Sequence, residues 1–367
     1  MPDNHSFSSR PRLALAIGDP AGIGPELAAH LLADSEVTDA AQIIAIGDSR
    51  VLAEGARVAG VRIDVKPCSL DDPLPEDSAK AVFVDMAHLD PKTIPVGEIS
   101  RAGGTFALEN FKMALALGMT GEVGAVTFTP FNKAAMRLAH PAYEDEVVFS
   151  AEMLSFNGTA SEFNVLPKLW NARVTSHVPI SGVAPLITEE RVLRGLRLTD
   201  AAMRAAGFSP PRIAVAALNP HAGDGGNFGK EEIDVLAPVI EEARKTGIVC
   251  EGPFPSDTVF VRAARGDFDA VLTMYHDQGQ IAMKLIGFNQ GVTLLGGMPF
   301  PILTPAHGSA YDIAGKGVAN PGASRHALLL AARMSPAAKP PSGSTFRSIR
   351  QMLSRSAVQE RSVDAAS

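Results

Sequence analysis

Cysteine is all but missing: Cys68 and Cys250 are the only two in a chain of 367 residues. They stand far apart and outside any ligand spacing, which excludes a disulfide framework or a cysteine metal site and points to a reducing compartment. Aromatic residues are sparse, at 6% with one tryptophan and three tyrosines. No apolar stretch reaches the roughly 18 residues that a membrane span requires. Positive charge is also in short supply, 33 Lys and Arg against 40 Asp and Glu for a net charge of -7, with no basic cluster dense enough to compete for a phosphate backbone. Nucleic-acid and membrane partners are therefore not expected, and a soluble, cytoplasmic protein is.

What is present is an ordinary globular composition, 46% apolar and 20% charged, with length enough for two core-bearing units. Short apolar runs (LALAIGD, AQIIAIGD, AVFVDM, GAVTFTP, NARVTSH, RIAVAALNP, FDAVLTMYHD, GVTLLGG) alternate with helical patterns over 25–32, 104–117, 189–206 and 230–245. Such alternation with few hairpin signals predicts an α/β protein with mostly parallel sheets. Ligands of such sheets bind beyond the carboxyl ends of the strands. Several runs end there on polar residues: Asp19, Asn132 with Lys133, His177, Asn219 to His221, and His276 with Asp277. The Pro- and Ser-rich stretch 335–367 is expected to be a flexible tail.

Three histidines, His177, His221 and His276, each close an apolar run. Neutral imidazoles suit several divalent ions, and three of them leave positions open for a substrate oxygen. Singly, each reads as a satisfied strand-end residue, but three at equivalent edges favour a site. The stretch GDPAGIGPELAAHLL is a strand end, a glycine turn and a helix start with Pro25 and Glu26. Its N–H groups are able to approach a phosphate, although it is neither a G-x-G-x-x-G nor a Walker loop, and a plain structural turn fits equally well.

The string HGSAYDIAGKGVANP, 307–321, resembles the adenosine-binding loop of isopropylmalate and isocitrate dehydrogenases, and GDPAGIGPE resembles their amino-terminal turn. Together with TPFNKAA, LNPHAGDGGNFGKEE, GPFPSDTVF and MYHDQGQIAMK, in order from about Leu13 to Met334, the chain more closely resembles the 4-hydroxythreonine-4-phosphate dehydrogenase family of the vitamin B6 pathway. That resemblance implies an isopropylmalate-dehydrogenase-like fold of two α/β/α lobes with a cleft between them. Residues 12–130 with 281–334 would form the NAD-binding lobe, and 131–280 the metal, substrate and dimerisation lobe. It also implies NAD-dependent oxidation of a secondary alcohol in a small hydroxy acid, followed by decarboxylation of the 3-oxo acid. One divalent ion (Zn, Mn, Co or Mg) would be held by His177, His221 and His276 at a homodimer interface. Gly18, Asp19, Gly22, His307, Gly308, Ser309, Asp312 and Asn320 fall in the cofactor-binding motifs, and Lys284 matches a substrate-binding lysine. Lys133, Asp257 and Asp277 are acid/base candidates by type. A turn cap for Asp257 and a solvated helix start for Lys133 are equal alternatives.

The departures concern the substrate. Where the family carries a His-Thr pair on the substrate phosphate, this chain has Glu146 and Val147; Thr293 stands for an Asn and Ile302 for an Arg. Losing a bidentate Arg and gaining a like charge both argue against the parent phosphate pocket. A shift of alignment by a residue or two would keep the acid away, and His140 is a candidate replacement. The expected function is a family dehydrogenase with an altered substrate pocket. One rival is a cis-dihydrodiol dicarboxylate dehydrogenase of the terephthalate or isophthalate type, for which Met298, Phe300 and Ile302 would suit a ring. Phosphorylated four-carbon sugar acids are a third substrate class. A non-catalytic ligand-binding homologue is the rival from outside enzymology, and the retained histidines, Lys284 and the complete loop speak against it.

Overall fold

The structure is a computed structural model and describes residues 10–75, 78 and 80–352. Among these, twelve strands follow in chain order: β1 (Arg12–Ala16), β2 (Gln42–Gly47), β3 (Val65–Cys68), β4 (Ala81–Asp85), β5 (Ala125–Phe128), β6 (Ser161–Leu166), β7 (Leu169–Arg173), β8 (Ile213–Ala216), β9 (Cys250–Phe254), β10 (Ala270–Thr273), β11 (Val292–Gly296) and β12 (Ile302–Pro305). The chain forms two compact units, one from the residues up to Gly158 and again from Met298, the other from Thr159–Gly297.

The first unit has the strand order β3-β4-β2-β1-β5-β12, parallel throughout. Strands β1, β2 and β5 are buried along their whole length, as expected of a parallel sheet covered on both faces, and this is why they read as unbroken apolar runs. The helix Arg101–Met119 starts on a Ser100 cap, whose Oγ accepts from the Gly103 N–H at 3.0 Å, and it buries Phe106, Phe111, Met113 and Leu117.

The second unit has the order β11-β6-β7-β10-β8-β9. Strands β7, β10, β8 and β9 are parallel, whereas β6 is antiparallel to both β7 and β11. The β6–β7 hairpin closes on Pro167 and Lys168, with Leu166 paired to Leu169, a turn that the predicted parallel pattern had no place for.

Three expectations need correction. The chain crosses between units near residues 158 and 297, not 130 and 280, so 131–158 belongs to the first unit and 281–297 to the second. Packing explains the first shift: helix Lys133–Ala139 lies against helix Arg101–Met119 at Gly104, where a methyl group would stand 1.9 Å from the Ala135 carbonyl oxygen. The pairing of β11 with β6 explains the second. Nor is the stretch from 335 to 352 a free tail. Phe346 and Ile349 are fully buried, the Phe346 N–H donates to Asp72 O at 3.1 Å, and Arg347 meets the Asp71 carboxylate through two hydrogen bonds of 2.7 and 3.0 Å. The remainder of the expected tail, 353–367, lies outside the described residues.

Candidate active site

Strands β7, β10 and β8 are neighbours and parallel, so their carboxyl ends share one edge of the second unit, and just past those ends come His177, His276 and His221. The rings of His177 and His276 lie 5.8 Å apart, centre to centre. His276 is the first residue of helix His276–Gly287, which carries the apolar Ile281 to Met283. Its Nδ1 is 2.7 Å from Asp277 Oδ1, an arrangement that orients an imidazole and leaves Nε2 for a ligand. Asp277, read from sequence as an acid/base candidate, is thus first of all the partner of His276.

The reason a strand stops on Tyr-His-Asp-Gln-Gly becomes visible at Gln278. Its Oε1 accepts from the Met274 N–H at 2.6 Å, while its Nε2 donates to Ala217 O at 2.7 Å and to Ser256 Oγ at 2.8 Å. Ser256 in turn donates to Ala217 O at 2.7 Å. One amide thereby ties the ends of β10 and β8 to the start of helix Ser256–Ala264, which carries Asp257 exposed in its first turn.

His221 is displayed differently. It opens a run in which His221, Ala222, Gly223, Asp224 and Gly225 have φ of 54°, 53°, 81°, 44° and 64°. Each non-glycine residue there costs about 1–2 kcal/mol relative to the right-handed form, so the surroundings must hold the turn. Glu232, buried at 3% exposure, accepts from the Leu218 and Asn219 N–H groups at 2.9 and 2.8 Å. Among the described residues no three His, Cys, Asp or Glu side chains of one chain come close enough to hold an ion. The donor set itself, neutral imidazoles with one already oriented by a carboxylate, fits a divalent cation.

Beside the histidine edge, Arg173 at the end of β7 is buried and bonded to Asn164 at 3.0 Å, Ser176 at 3.1 Å and Glu162. Burial lowers its pKa, opposed by the Glu162 charge. Thr293 of β11 pairs with Asn164 in register, so it borders this network, while Lys284 is exposed on the helix that begins with His276. Gln278, Glu232 and Arg173 were missed from sequence. Only Arg173 left a signal, a charge interrupting an apolar strand.

In the first unit the glycine turn and the 307–321 loop are clasped together. The Ile23 N–H donates to Ser309 O at 3.0 Å, the Ala319 N–H to Glu26 Oε1 at 2.8 Å, and Tyr311 OH to Asp19 Oδ2. Asp19 Oδ1 also accepts from the Ala21 N–H at 2.9 Å. Burial pushes the Asp19 carboxyl above its ordinary range, opposed by the hydrogen bonds from Tyr311 and Ala21. A side chain at Gly22 would begin 2.5 Å from Ser309 O, and one at Gly18 would begin 2.2 Å from Thr129 O. Gly18, Asp19 and Gly22 are buried, and their close approaches are to protein backbone. These contacts fit the structural-turn alternative: they position the loop. Gly308, Asp312 and Asn320 are exposed on the loop, and His307 is half-buried, its pKa lowered by that burial. Ser309 is buried, with Asn132 Nδ2 reaching its Oγ at 3.4 Å.

Also in the first unit, Lys133 Nζ is 3.3 Å from Glu146 Oε2, so these two candidates are partners. Burial raises the pKa of Tyr143, and the neighbouring Glu146 charge pushes it the same way. Val147 is half-buried on helix Glu146–Met153. Ile302 must be withdrawn as a substrate contact, because it is 0% exposed on β12. Phe300 likewise fills core, its ring lying over Gly118 of helix Arg101–Met119.

Parallel α/β sheets with imidazoles past one carboxyl edge and a clasped glycine turn in the other unit define an α/β enzyme. The family model described as pyridoxal phosphate biosynthetic protein PdxA matches residues 39–331, and the chain belongs to that family. A protein of Rhizobium meliloti (strain 1021) provisionally named 4-hydroxythreonine-4-phosphate dehydrogenase 2 is 61% identical over 325 residues, 89% of this chain and 93% of that one. One of Oceanobacillus iheyensis, provisionally named D-threonate 4-phosphate dehydrogenase, is 35% identical over 90% of this chain and 99% of its own. The crystal structure of 4-hydroxythreonine-4-phosphate dehydrogenase from Klebsiella pneumoniae superposes with a TM-score of 0.75 at 31% identity, covering 89% of this chain and 100% of the other. That of a terephthalate 1,2-cis-dihydrodiol dehydrogenase from Burkholderia xenovorans LB400 gives 0.62 at 29% identity, covering 88% and 98%. The chain is an enzyme, a dehydrogenase, and among its described residues no helix is long and apolar enough to cross a membrane.

Proposed function

We propose that this enzyme is an NAD- and divalent-metal-dependent dehydrogenase that oxidises a secondary alcohol of a small hydroxy acid, with loss of carbon dioxide from the 3-oxo acid. The observation that carries the reading is the placement of His177, His221 and His276 just past the carboxyl ends of three adjacent parallel strands. A divalent ion bound by these imidazoles supplies a Lewis acid for the hydroxyl and, later, for the ketone oxygen. Asp277 fixes the His276 ring. Asp257 and Lys133 are the acid/base candidates, one of which would take the alcohol proton, while a bound nicotinamide would supply the hydride acceptor. After carbon dioxide leaves, a protein acid returns a proton to carbon. Lys284 supplies positive charge for the anionic substrate. In the first unit, the loop bearing His307, Gly308, Asp312 and Asn320 holds the dinucleotide, with Gly18, Asp19, Gly22 and Ser309 shaping it from behind.

A homodimer completes the metal site in this reading. Two observations support it: one chain alone does not gather three donors among its described residues, and the helix that begins with His276 exposes Ile281, Leu285 and Ile286, Leu285 to 83%. Cys68 and Cys250 are free and buried, which suits a reducing compartment such as the cytoplasm.

The names of the relatives, for phosphorylated hydroxy acids, support a small hydroxy acid as substrate and make a role in pyridoxine synthesis the parent reading. The Lys133–Glu146 pair argues that a phosphate is not held here by the family's contacts, and the substrate need not carry one. The dihydrodiol rival loses its main support, because Phe300 and Ile302 are packed into core. The test is NADH formation by metal-supplemented protein with 4-phosphohydroxy-L-threonine, D-threonate 4-phosphate and their unphosphorylated forms. Turnover of at least one is expected; none, in protein shown to bind NAD and metal, refutes the hydroxy-acid assignment.

A further inference from the structure

Of the three histidines, His221 alone has a positive φ. It sits in a left-handed turn, positive in φ from His221 to Gly225, which L-residues do not hold unaided. Glu232 over-determines that turn. Its Oε1 accepts from the N–H groups of Leu218 and Asn219 at 2.9 and 2.8 Å, and its Oε2 from Asn219 Nδ2 at 3.0 Å. Gly223, in the middle of the turn, passes so near that a methyl group there would stand 2.7 Å from the same Oε2. One buried carboxylate therefore fixes the exit of the chain from β8 and packs against the centre of the turn. Backbone kept in sparsely populated regions gathers at functional sites when its surroundings over-determine it, and groups one step behind a metal ligand set its orientation.

We propose that Glu232 is a positioning residue for His221, holding the strained turn so that the imidazole is in place before an ion binds. The inference rests on the reading of His221 as a metal ligand. Without the carboxylate the turn relaxes toward right-handed conformations, and the imidazole leaves its place while the surrounding sheet persists.

The test is zinc and cobalt affinity of the purified full-length chain, measured by competition with a chromophoric chelator, beside the Tm of the metal-free protein. Wild type, Glu232→Gln, Glu232→Ala and His221→Ala are compared. Glu232→Gln turns an N–H donor toward either Asn219 Nδ2 or the backbone N–H groups, and it is expected to weaken metal binding about tenfold. Glu232→Ala is expected to approach His221→Ala. A folded Glu232→Gln protein with wild-type metal affinity overturns the inference, even if its Tm has dropped, since a merely structural role moves Tm alone. Should Glu232→Ala fail to fold, Glu232→Gln decides. If His221→Ala itself binds metal as the wild type does, the ligand reading is wrong and the inference falls with it, a result distinguishable from the first.

Discussion

Lys133 Nζ stands 3.3 Å from Glu146 Oε2, the acid on the first turn of one helix closing on the base that opens another. Glu146, where the family resemblance places a histidine, thus pairs with Lys133, and in the proposed reading it sets a carboxylate beside an approaching substrate phosphate. Glu146→Gln leaves Lys133 without its carboxylate and is expected to lower KM for a phosphorylated hydroxy acid several-fold, with a larger effect at low salt. Equal KM values for the two proteins at every ionic strength would remove this pair from substrate selection.

Tyr311 donates to Asp19, which is 1% exposed. Tyr311→Phe strands a buried carboxylate oxygen and is expected to cost about 1–2 kcal/mol at pH 7. The pH dependence follows from Asp19, whose burial raises its folded pKa above the ordinary aspartate value. A group raised in the fold binds its proton more tightly folded than unfolded; its contribution favours the fold below the unfolded value and is lost as pH rises through the raised one. The penalty of Tyr311→Phe should therefore shrink on acidification through that window. Urea titrations of both proteins across it give the answer, and a penalty that grows toward acid contradicts the burial argument.

Two glycines of the cofactor region make a contrasting pair. At Gly22 a methyl group would stand 2.5 Å from Ser309 O, whereas at Gly308 it would meet nothing within 4 Å. Gly22→Ala is expected to destabilise the first unit by about 1–3 kcal/mol through overpacking. Gly308→Ala should leave Tm unchanged and weaken NAD binding, because in the proposed function the dinucleotide takes that open space. Calorimetric NAD titrations of folded Gly308→Ala with wild-type affinity would remove the loop from the dinucleotide site.

Phe346 is buried completely in the segment beyond residue 335. Phe346→Ala is expected to cost about 3–5 kcal/mol, the ordinary penalty for emptying a core aromatic site. An unchanged urea midpoint would return this segment to the status of a tail.

The strands legible in the sequence were those whose apolar run is unbroken, β1, β2, β5, β8 and β10 among them, because burial on both faces writes hydrophobicity at every position. Those that escaped notice break that signal for physical reasons. β3 and β9 carry Pro67 and Pro253 and lie at the ends of the strand order, where a missing ladder donor is tolerated. β12 is bracketed by Pro301 and Pro305, and β6 carries Ser161, Glu162 and Asn164. At the candidate site the histidines were readable because each ends a run. Glu232 and Gln278 were not, since a side chain bonded to distant backbone leaves no periodic trace. Phe300 and Ile302 misled in the opposite sense: an apolar residue reads the same whether it lines a pocket or fills a core.

The most direct measurement is NADH formation with a turned-over hydroxy acid, made on chelator-stripped protein before and after adding back zinc or manganese, for wild type and for His177→Ala, His221→Ala and His276→Ala. The three-histidine site predicts that stripped wild type is inactive and recovers with metal, and that none of the variants recovers while each stays folded. Stripped protein, or a folded variant at any of the three positions, turning over at the wild-type rate would contradict it.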